Sequence, residues 1–286
     1  MYAITGATGQ LGRLVVNGLL ETVPADQIVA AVRDPAKAKD LAARNVVVRE
    51  ADYDRPDTLR ATLDGVRRVL LISSSEVGVR LVQHRAVIDA AEAAGVELLA
   101  YTSILHADTT PAKLASEHRA TEEAIVASGI PAAILRNGWY TENHLVALQS
   151  TLAHGAMVGA AGDGRFSSAA RADYALAAAK VLTAESQAGN VYELAGDEAY
   201  TYADFAAELS RQAGKPVAYR DLPEADYKQV LLGAGLPEPL ADALADEDAV
   251  ARGDTLFDAS RTLSGLIGRS TTPMPNTVTA ALAAIG

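Results

Sequence analysis

Residues 2–12 read YAITGATGQLG, an apolar run that closes on Gly6, Gly9 and Gly12 and passes into the amphipathic stretch Leu11 to Leu20. A strand, a glycine turn and a helix start thus fall within twenty residues. Glycine belongs at these offsets because the turn is tight, the backbone must approach a pyrophosphate closely, and the helix must lie against its strand. Amides at the helix start and the positive end of its dipole then attract phosphate. Glycines so spaced recur by chance; the strand-helix-strand context is what makes this stretch point to a dinucleotide site.

The second unit bears on which dinucleotide. Gln27 to Val32, QIVAAV, has strand length and is followed at once by Arg33, Asp34, Pro35, Ala36 and Lys37. An acidic side chain at this strand end accepts from the 2′-hydroxyl of NAD, whereas a 2′-phosphate calls for a cation. Arg33 takes that position with a fork able to bind phosphate oxygens bidentately, and Lys37, one helical turn on, adds a point charge. Arg13 either joins them or is a solvated surface cation. Asp34 stands close enough in sequence to pair with Arg33, so the expectation is a preference for NADPH that leaves NADH tolerated.

The alternation continues for two thirds of the chain. Strands are expected at residues 2–5, 27–32, 46–50, 69–72, 98–102, 131–136 and 191–194, with helices at 35–43, 56–63, 79–94 and 112–128 between the first six. Nearly all-apolar strands separated by helices predict an α/β fold, a Rossmann-type doubly wound parallel sheet covered on both faces. Residues 1–136 form the expected NADP-binding Rossmann domain. Residues 137–286 form a smaller, mainly helical C-terminal lobe that adds elements to the sheet and closes a substrate cleft, with helices at 172–182, 202–213, 224–234, 237–252 and 260–267.

Ligand atoms in such sheets gather at the carboxyl ends of the strands. The third strand ends in Ala51, Asp52 and Tyr53, which either flank an adenine or, for Asp52, open the next helix. The fourth ends in Ser73, Ser74, Ser75, Glu76, Val77 and Gly78, small hydroxyls suited to ribose and phosphate or to capping the helix from Val79. The sixth runs through Arg136 and Asn137 into Gly138, Trp139, Tyr140, Thr141, Glu142 and Asn143. This segment holds the one tryptophan of a chain with 5% aromatics. Trp139 is either a planar wall for a nicotinamide and a flat substrate or a core side chain.

A chain of 286 residues suits one large core with an accessory lobe, since single cores stop growing near ~250 to 300 residues. A formal charge of -11 and the lack of a basic run argue against nucleic acid and anionic membranes as partners. Zero cysteines exclude disulfides, thiolate nucleophiles and cysteine metal sites. The chain enters its first strand without a leader pattern, and no run reaches the ~18 apolar residues of a span, so the cytoplasm is the expected compartment.

Missing motifs narrow the chemistry. No tyrosine precedes a lysine by four residues on the helix after strand five, where such a pair would move a proton to a carbinol oxygen. Hydride delivery to an acceptor needing little acid catalysis is what remains, and quinones fit, because solvent can protonate a hydroquinone anion. The histidines, His84, His106, His118, His144 and His154, lack metalloprotease spacing and are expected at the surface or in loops, with His106 and His144 the two that could lie near the cleft. There is no Gly-x-Ser-x-Gly elbow. The acidic stretch Glu238 to Asp248 reads first as a solvated helix face and only second as a metal site.

Seven stretches together resemble the bacterial NADPH:quinone oxidoreductases of the NmrA-like, atypical short-chain dehydrogenase group. They are TGATGQLG at 5–12, AAVRDPAKA at 30–38, LLISSSEVG at 70–78, AYTSILHAD at 100–108, LRNGWYTEN at 135–143, GAAGDGRFSSAARADYA at 159–175 and VYELAGD at 191–197. The resemblance spans essentially the whole chain, and SSSEVG and RNGWYTEN are its more specific parts. It implies NADP contacts from Gly6, Ala7, Thr8, Gly9, Gln10, Leu11, Arg33, Ser73, Ser74 and Ser75, and from Asn137, Gly138, Trp139, Tyr140, Thr141 and Glu142. It places a quinone beside Glu76, Gly78, Tyr140 and Asn143. Direct hydride transfer without flavin or metal is the implied reaction, with no catalytic side chain assigned. The partners are a small-molecule quinone and, as an option, a second copy in a homodimer. Two other readings stay open: reduction of other planar electrophiles such as triphenylmethane dyes, and a non-catalytic NADP-sensing regulator.

Overall fold

The computed structural model describes residues 1–285. The chain runs β1 (Tyr2–Thr5), α1 (Gln10–Leu19), β2 (Ile28–Val32), α2 (Lys39–Ala42), β3 (Val47–Glu50), α3 (Pro56–Leu63), β4 (Arg68–Leu71), α4 (Arg80–Ala93), β5 (Leu98–Ile104), α5 (Lys113–Ser128) and β6 (Ala132–Asn137). It continues through α6 (Leu148–His154), β7 (Ala156–Gly159), α7 (Arg171–Thr183), β8 (Val191–Leu194), α8 (Tyr202–Ala213) and β9 (Ala218–Asp221). Four helices follow: α9 (Glu224–Gly233), α10 (Glu238–Ala251), α11 (Thr262–Ile267) and α12 (Met274–Ala283).

These elements fall into two compact units that interleave along the chain. The first comprises Met1–Ile104, Glu117–Asn137 and Arg171–Tyr192; the second comprises Leu105–Ser116, Gly138–Ala170 and Glu193–Gly286. The first unit is built on a seven-stranded sheet of order β3-β2-β1-β4-β5-β6-β8. From β3 through β6 every neighbouring pair is parallel, with β1 in register between β2 and β4 (Tyr2 opposite both Ile28 and Arg68). This is the expected α/β Rossmann-type sheet. The IVAAV run of β2 is buried at all five positions, as a strand covered on both faces requires. Leu59, Leu63, Val87, Ile88 and Ile125 of α3, α4 and α5 pack with Val29, Val69, Leu71, Leu99 and Tyr101 into one core. Helices α1 and α7 pack on each other, and Gly18 permits the approach, because a Cβ there would stand 3.3 Å from that of Ala179. Strand order reverses beside β1: the chain leaves it for β2 and β3, then crosses back to β4. Ligands bind at such a switch point, outside the carboxyl ends of the strands.

The second unit carries the parallel pair β7-β9 and a core in which Phe166, Tyr202 and Phe205 are buried around Met157, Leu209 and Val278. Thr201 opens α8 with a capping box to Asp204, and Gly214 closes it at φ 64, the left-handed stop that glycine permits.

Several expectations need correction. Gln27 ends a 3-10 turn, Ala25–Gln27, and lies outside β2. The helix expected over 35–43 is a 3-10 turn, Pro35–Ala38, followed by the short α2, because the Asp34 carboxylate accepts from the Ala36 amide and fixes a tight start. Strands β7 and β9 and helices α6 and α12 were not expected; β7 lies in a glycine- and alanine-rich run, and the AYRD of β9 is charged and largely exposed. His84 and His118, expected at the surface, are 0% and 3% exposed. Glu247 and Asp248 of the supposedly solvated α10 face are 5% and 3% exposed.

Candidate functional site

At the carboxyl ends of β1, β2, β3 and β4 the first unit holds a cavity of about 720 Å³, within the size range of small-molecule and cofactor pockets. Its floor is the glycine turn. Gly6 has φ +58, open to glycine at no steric cost, and its carbonyl accepts from the Gly9 amide at 2.8 Å. Gly9 is the N-cap of α1; no side chain caps the helix, and its first turn carries no acidic residue. The first-turn amides and the helix dipole are therefore available to an anion. Gly12 is required for a different reason: a Cβ there would lie 2.7 Å from Ala7 Cα and closer still to the Gly6 carbonyl oxygen. The glycine thus lets α1 start against the turn itself.

Of the residues expected to hold cofactor, Gly6, Thr8, Gly9, Gln10, Leu11, Arg33 and Lys37 line this cavity. So do Asp52, Tyr53, Ser73, Ser74 and Ser75, from two further strand ends. Ala7 is buried beneath the turn and donates its amide to Ala31 at 3.3 Å. Arg13 donates to the carbonyls of Thr8 and Lys37 and pairs with Asp40, so it braces the rim. Asp52 accepts from the Asp54 amide at 3.1 Å, a turn role it fills while lining the cavity. The Tyr53 hydroxyl lies 2.6 Å from Thr5 Oγ1 and 2.9 Å from the Ile72 carbonyl, fixing its ring over the end of β1.

Arg33 is paired, and with an unexpected partner. Its Nη1 lies 3.1 Å from Oε1 of Glu76, a residue expected beside the quinone and itself lining this same cavity. Asp34, the expected partner of Arg33, caps the following turn.

The loop carrying Ser73 to Gly78 does not cap α4, whose N-cap is Val79 without a side-chain bond. It is held from below. The Ser74 amide donates to His84 Nε2 at 2.9 Å, which places the ring proton on Nδ1, 2.9 Å from Thr121 Oγ1; the Thr121 hydroxyl donates on to the Glu117 carbonyl. Arg80 Nε donates to the Ser74 carbonyl at 2.6 Å, and the Gly78 amide donates to Glu117 Oε1 at 3.0 Å. Burial, followed by the neighbouring Arg80 charge, pushes the His84 pKa down to about 4, so the ring stays neutral and keeps its acceptor. Sequence reasoning missed Arg80, Gln83 and His84. Their spacing with Val87, Ile88 and Ala91 on one helical face was the available signal.

The segment expected to face nicotinamide and quinone lies in the second unit from Gly138 onward, while Asn137 ends β6 in the first. Gly138 donates to the Leu194 carbonyl at 2.7 Å, Thr141 to that of Ala169 at 2.9 Å, and Tyr140 bridges Ala169. Trp139 is half-buried and packs on the aromatic core of that unit. Thr141 to Leu145, which includes Glu142 and Asn143, forms a 3-10 turn. The His144 ring is enclosed by Phe166, Tyr200, Tyr202 and Phe205 at 5.0 to 5.8 Å, and burial lowers its pKa to about 3. His106 donates its amide to Glu193 at 2.8 Å. Among the described residues no group of three or more His, Asp or Glu side chains is arranged to hold a metal, and no helix is long and apolar enough to cross a membrane.

The model of the NmrA-like family matches residues 2–271. The chain is 56% identical to quinone oxidoreductase 2 of Escherichia coli over 278 residues, 97% of either chain. The crystal structure of the NADPH-dependent quinone oxidoreductase from E. coli, complexed with NADPH, matches it with a TM-score of 0.95 at 55% identity, covering 99% of this chain and 100% of that one. Triphenylmethane reductase from Citrobacter sp., complexed with NADP(H), matches with a TM-score of 0.93 at 39% identity over 98% and 100% of the two chains. NAD(P)H azoreductase of Xenophilus azovorans is 32% identical over 94% of this chain and 93% of its own.

Proposed function

This chain belongs to the NmrA-like family, and from that premise we propose that it is an oxidoreductase that reduces quinones with NADPH by direct hydride transfer, with neither flavin nor metal required. The observation that carries the reading is the cavity of the first unit. It combines an uncapped helix N-terminus over a glycine turn with Arg33 and Lys37 at the β2 end and hydroxyls at the β4 end. The donor set fits a dinucleotide: amides for the pyrophosphate, an arginine fork for a 2′-phosphate, and serine hydroxyls for ribose. NADPH, when bound, supplies a hydride to the quinone, and one proton from water completes the hydroquinone.

The chain's own residues bind and orient in this reading. The glycine turn seats the pyrophosphate; His84 and Arg80 hold the Ser73 to Gly78 loop at its Ser74 amide and carbonyl. Asn137, Gly138, Trp139, Tyr140, Thr141 and Glu142 are assigned to the cofactor by resemblance, and Gly78, Tyr140 and Asn143 to the quinone; Glu76, which the same resemblance gives to the quinone, is read by its pairing with Arg33. On this reading residues 1–136 are the NADP-binding part and 137–286 carry the rest of the substrate contacts. A cytoplasmic setting and a homodimer go with it. The names of the E. coli, Citrobacter and Xenophilus relatives support flat electrophiles as the substrate class, so triphenylmethane and azo dyes are the second reading.

The test is NADPH oxidation, followed by loss of the near-ultraviolet absorbance of reduced nicotinamide, with flavin-free protein and a panel of benzoquinones, naphthoquinones and dyes. Turnover fastest on quinones is the expected result. Faster turnover on the dyes moves the substrate to the second reading, and NADPH binding without turnover on any acceptor replaces the enzyme with a regulator.

A further inference from the structure

The carboxylate that faces Arg33 is held in place before any ligand is considered. Glu76 Oε1 lies 3.1 Å from the Arg33 guanidinium, and its other oxygen accepts from Gln83 Nε2 at 3.1 Å. Gln83 is 3% exposed, and the same amide nitrogen lies 3.1 Å from Asp54 Oδ1. The Glu76 amide donates to Ser74 Oγ. One partner of the pair is thus fixed by a buried side chain, unlike an ion pair between two free surface chains, and Arg33, Asp54, Ser74, Glu76 and Gln83 all line the same cavity.

An arginine fork distinguishes NADPH from NADH because its N–H groups and charge meet a 2′-phosphate far better than a 2′-hydroxyl. A carboxylate on the same fork opposes that in two ways. It engages one N–H and offsets the charge, and it repels a dianionic phosphate. It also supplies the acceptor that a ribose 2′-hydroxyl uses in NAD sites. We propose that Glu76 is a specificity-determining residue that limits the preference for NADPH and keeps NADH usable as a hydride donor. This rests on the reading of Arg33 as the 2′-phosphate group. It gives to Glu76 the balancing role that sequence assigned to Asp34, whose carboxylate is engaged with the Ala36 amide at 2.9 Å.

The test compares kcat/KM for NADPH with kcat/KM for NADH at one saturating quinone, so that any effect on the acceptor cancels in the ratio. Glu76→Gln is expected to raise the NADPH:NADH ratio about two- to fivefold, the range for a partly exposed pair, with NADPH tightening and NADH weakening in direct titration. Arg33→Ala is expected to lower the ratio about tenfold or more, and in that background Glu76→Gln should move it by much less. Asp34→Asn, which keeps the cap acceptor, should leave it unchanged. A ratio unmoved or lowered by Glu76→Gln while Arg33→Ala lowers it overturns the inference and leaves the Arg33 reading standing. A rise in Asp34→Asn equal to that in Glu76→Gln also overturns it. A ratio unmoved by Arg33→Ala removes the reading on which it rests, and the inference falls with it.

Discussion

His84 Nε2 accepts the Ser74 amide at 2.9 Å, and that bond can be made only by the neutral ring, because a protonated Nε2 would set donor against donor. The histidine is therefore a positioning residue for the loop that carries Ser73, Ser74 and Ser75. His84→Leu keeps the volume but removes the acceptor, leaving the amide short of a partner; NADPH KM should rise about tenfold with a much smaller change in kcat. His84→Gln, whose carbonyl can reach the same amide, should restore most of the loss. A fall in melting temperature in His84→Leu with NADPH KM unchanged would reduce the residue to a packing role. At this scale the sequence was legible where chemistry selects a residue type at a fixed offset. Gly6 and Gly9 answer to backbone geometry, and Arg33 to a phosphate charge. It was illegible for His84, Arg80 and Gln83, because a polar side chain buried to hold a loop has the same spelling as one left in water. The pairing of Arg33 was misread for a related reason: Asp34 is its neighbour in sequence, whereas Glu76 reaches it only once β2 and β4 flank β1.

Among the elements, α1 depends on its first turn. Gly9 and Gly12 look equivalent in the motif, yet the structure gives them separate tasks. A Cβ on Gly12 would be driven into the backbone of Gly6 and Ala7, atoms that cannot rotate away, whereas one on Gly9, a residue that lines the cavity, would stand 3.1 Å from a single carbonyl. Gly12→Ala is therefore expected to destabilise the protein by about 2 kcal/mol or more and to abolish NADPH binding. Gly9→Ala should melt near the parent while binding NADPH several-fold more weakly. Thermal melts paired with NADPH titrations decide the matter, and equal melting temperatures for the two variants would refute the division of tasks. The sheet was readable because short apolar runs alternate with helical faces, even where a strand has only four residues, as in β1, β3, β4 and β8. Strands β7 and β9 were not: the AMVG of β7 sits inside the glycine- and alanine-rich run 155–164, and the charges of AYRD interrupt β9.

For the molecule as a whole, buried titratable groups set opposing dependences on pH in the two units. In the first, His84 and His118 have pKa values lowered by burial and by Arg80, that of His84 to about 4. The unfolded chain binds their protons first, so this stability is fully present above the ordinary histidine value of 6.5 and is lost as pH falls through the window down to about 4. In the second, burial raises Glu247 to about 7, with Asp246 and Asp248 adding repulsion, and raises Asp248 to about 6. Here the folded chain binds the proton first, so the contribution is complete below the ordinary value of 4.5 for Glu247 and is lost as pH rises through about 7. Asp248 has partners in the Ala160 amide and the Tyr202 hydroxyl at 2.9 and 2.8 Å, whereas Glu247 Oε2 has none among the described residues. Glu247 is thus the side chain to change. Glu247→Gln replaces the buried acid with a group that does not titrate, and its new amide shifts the melting temperature by a constant that pH does not alter. The difference in stability between variant and parent should therefore grow in the variant's favour between about pH 5 and pH 8, by up to roughly 3 kcal/mol, the free energy of the shift in Glu247. Calorimetric melts across that range give the slope, and parallel curves for variant and parent would show that the carboxyl titrates normally. That this helix face was read as solvated has the same root as the histidines. Asp248 continues the stripe of Ala241, Ala245 and Ala251, and only the small residues around it signalled that the face was buried.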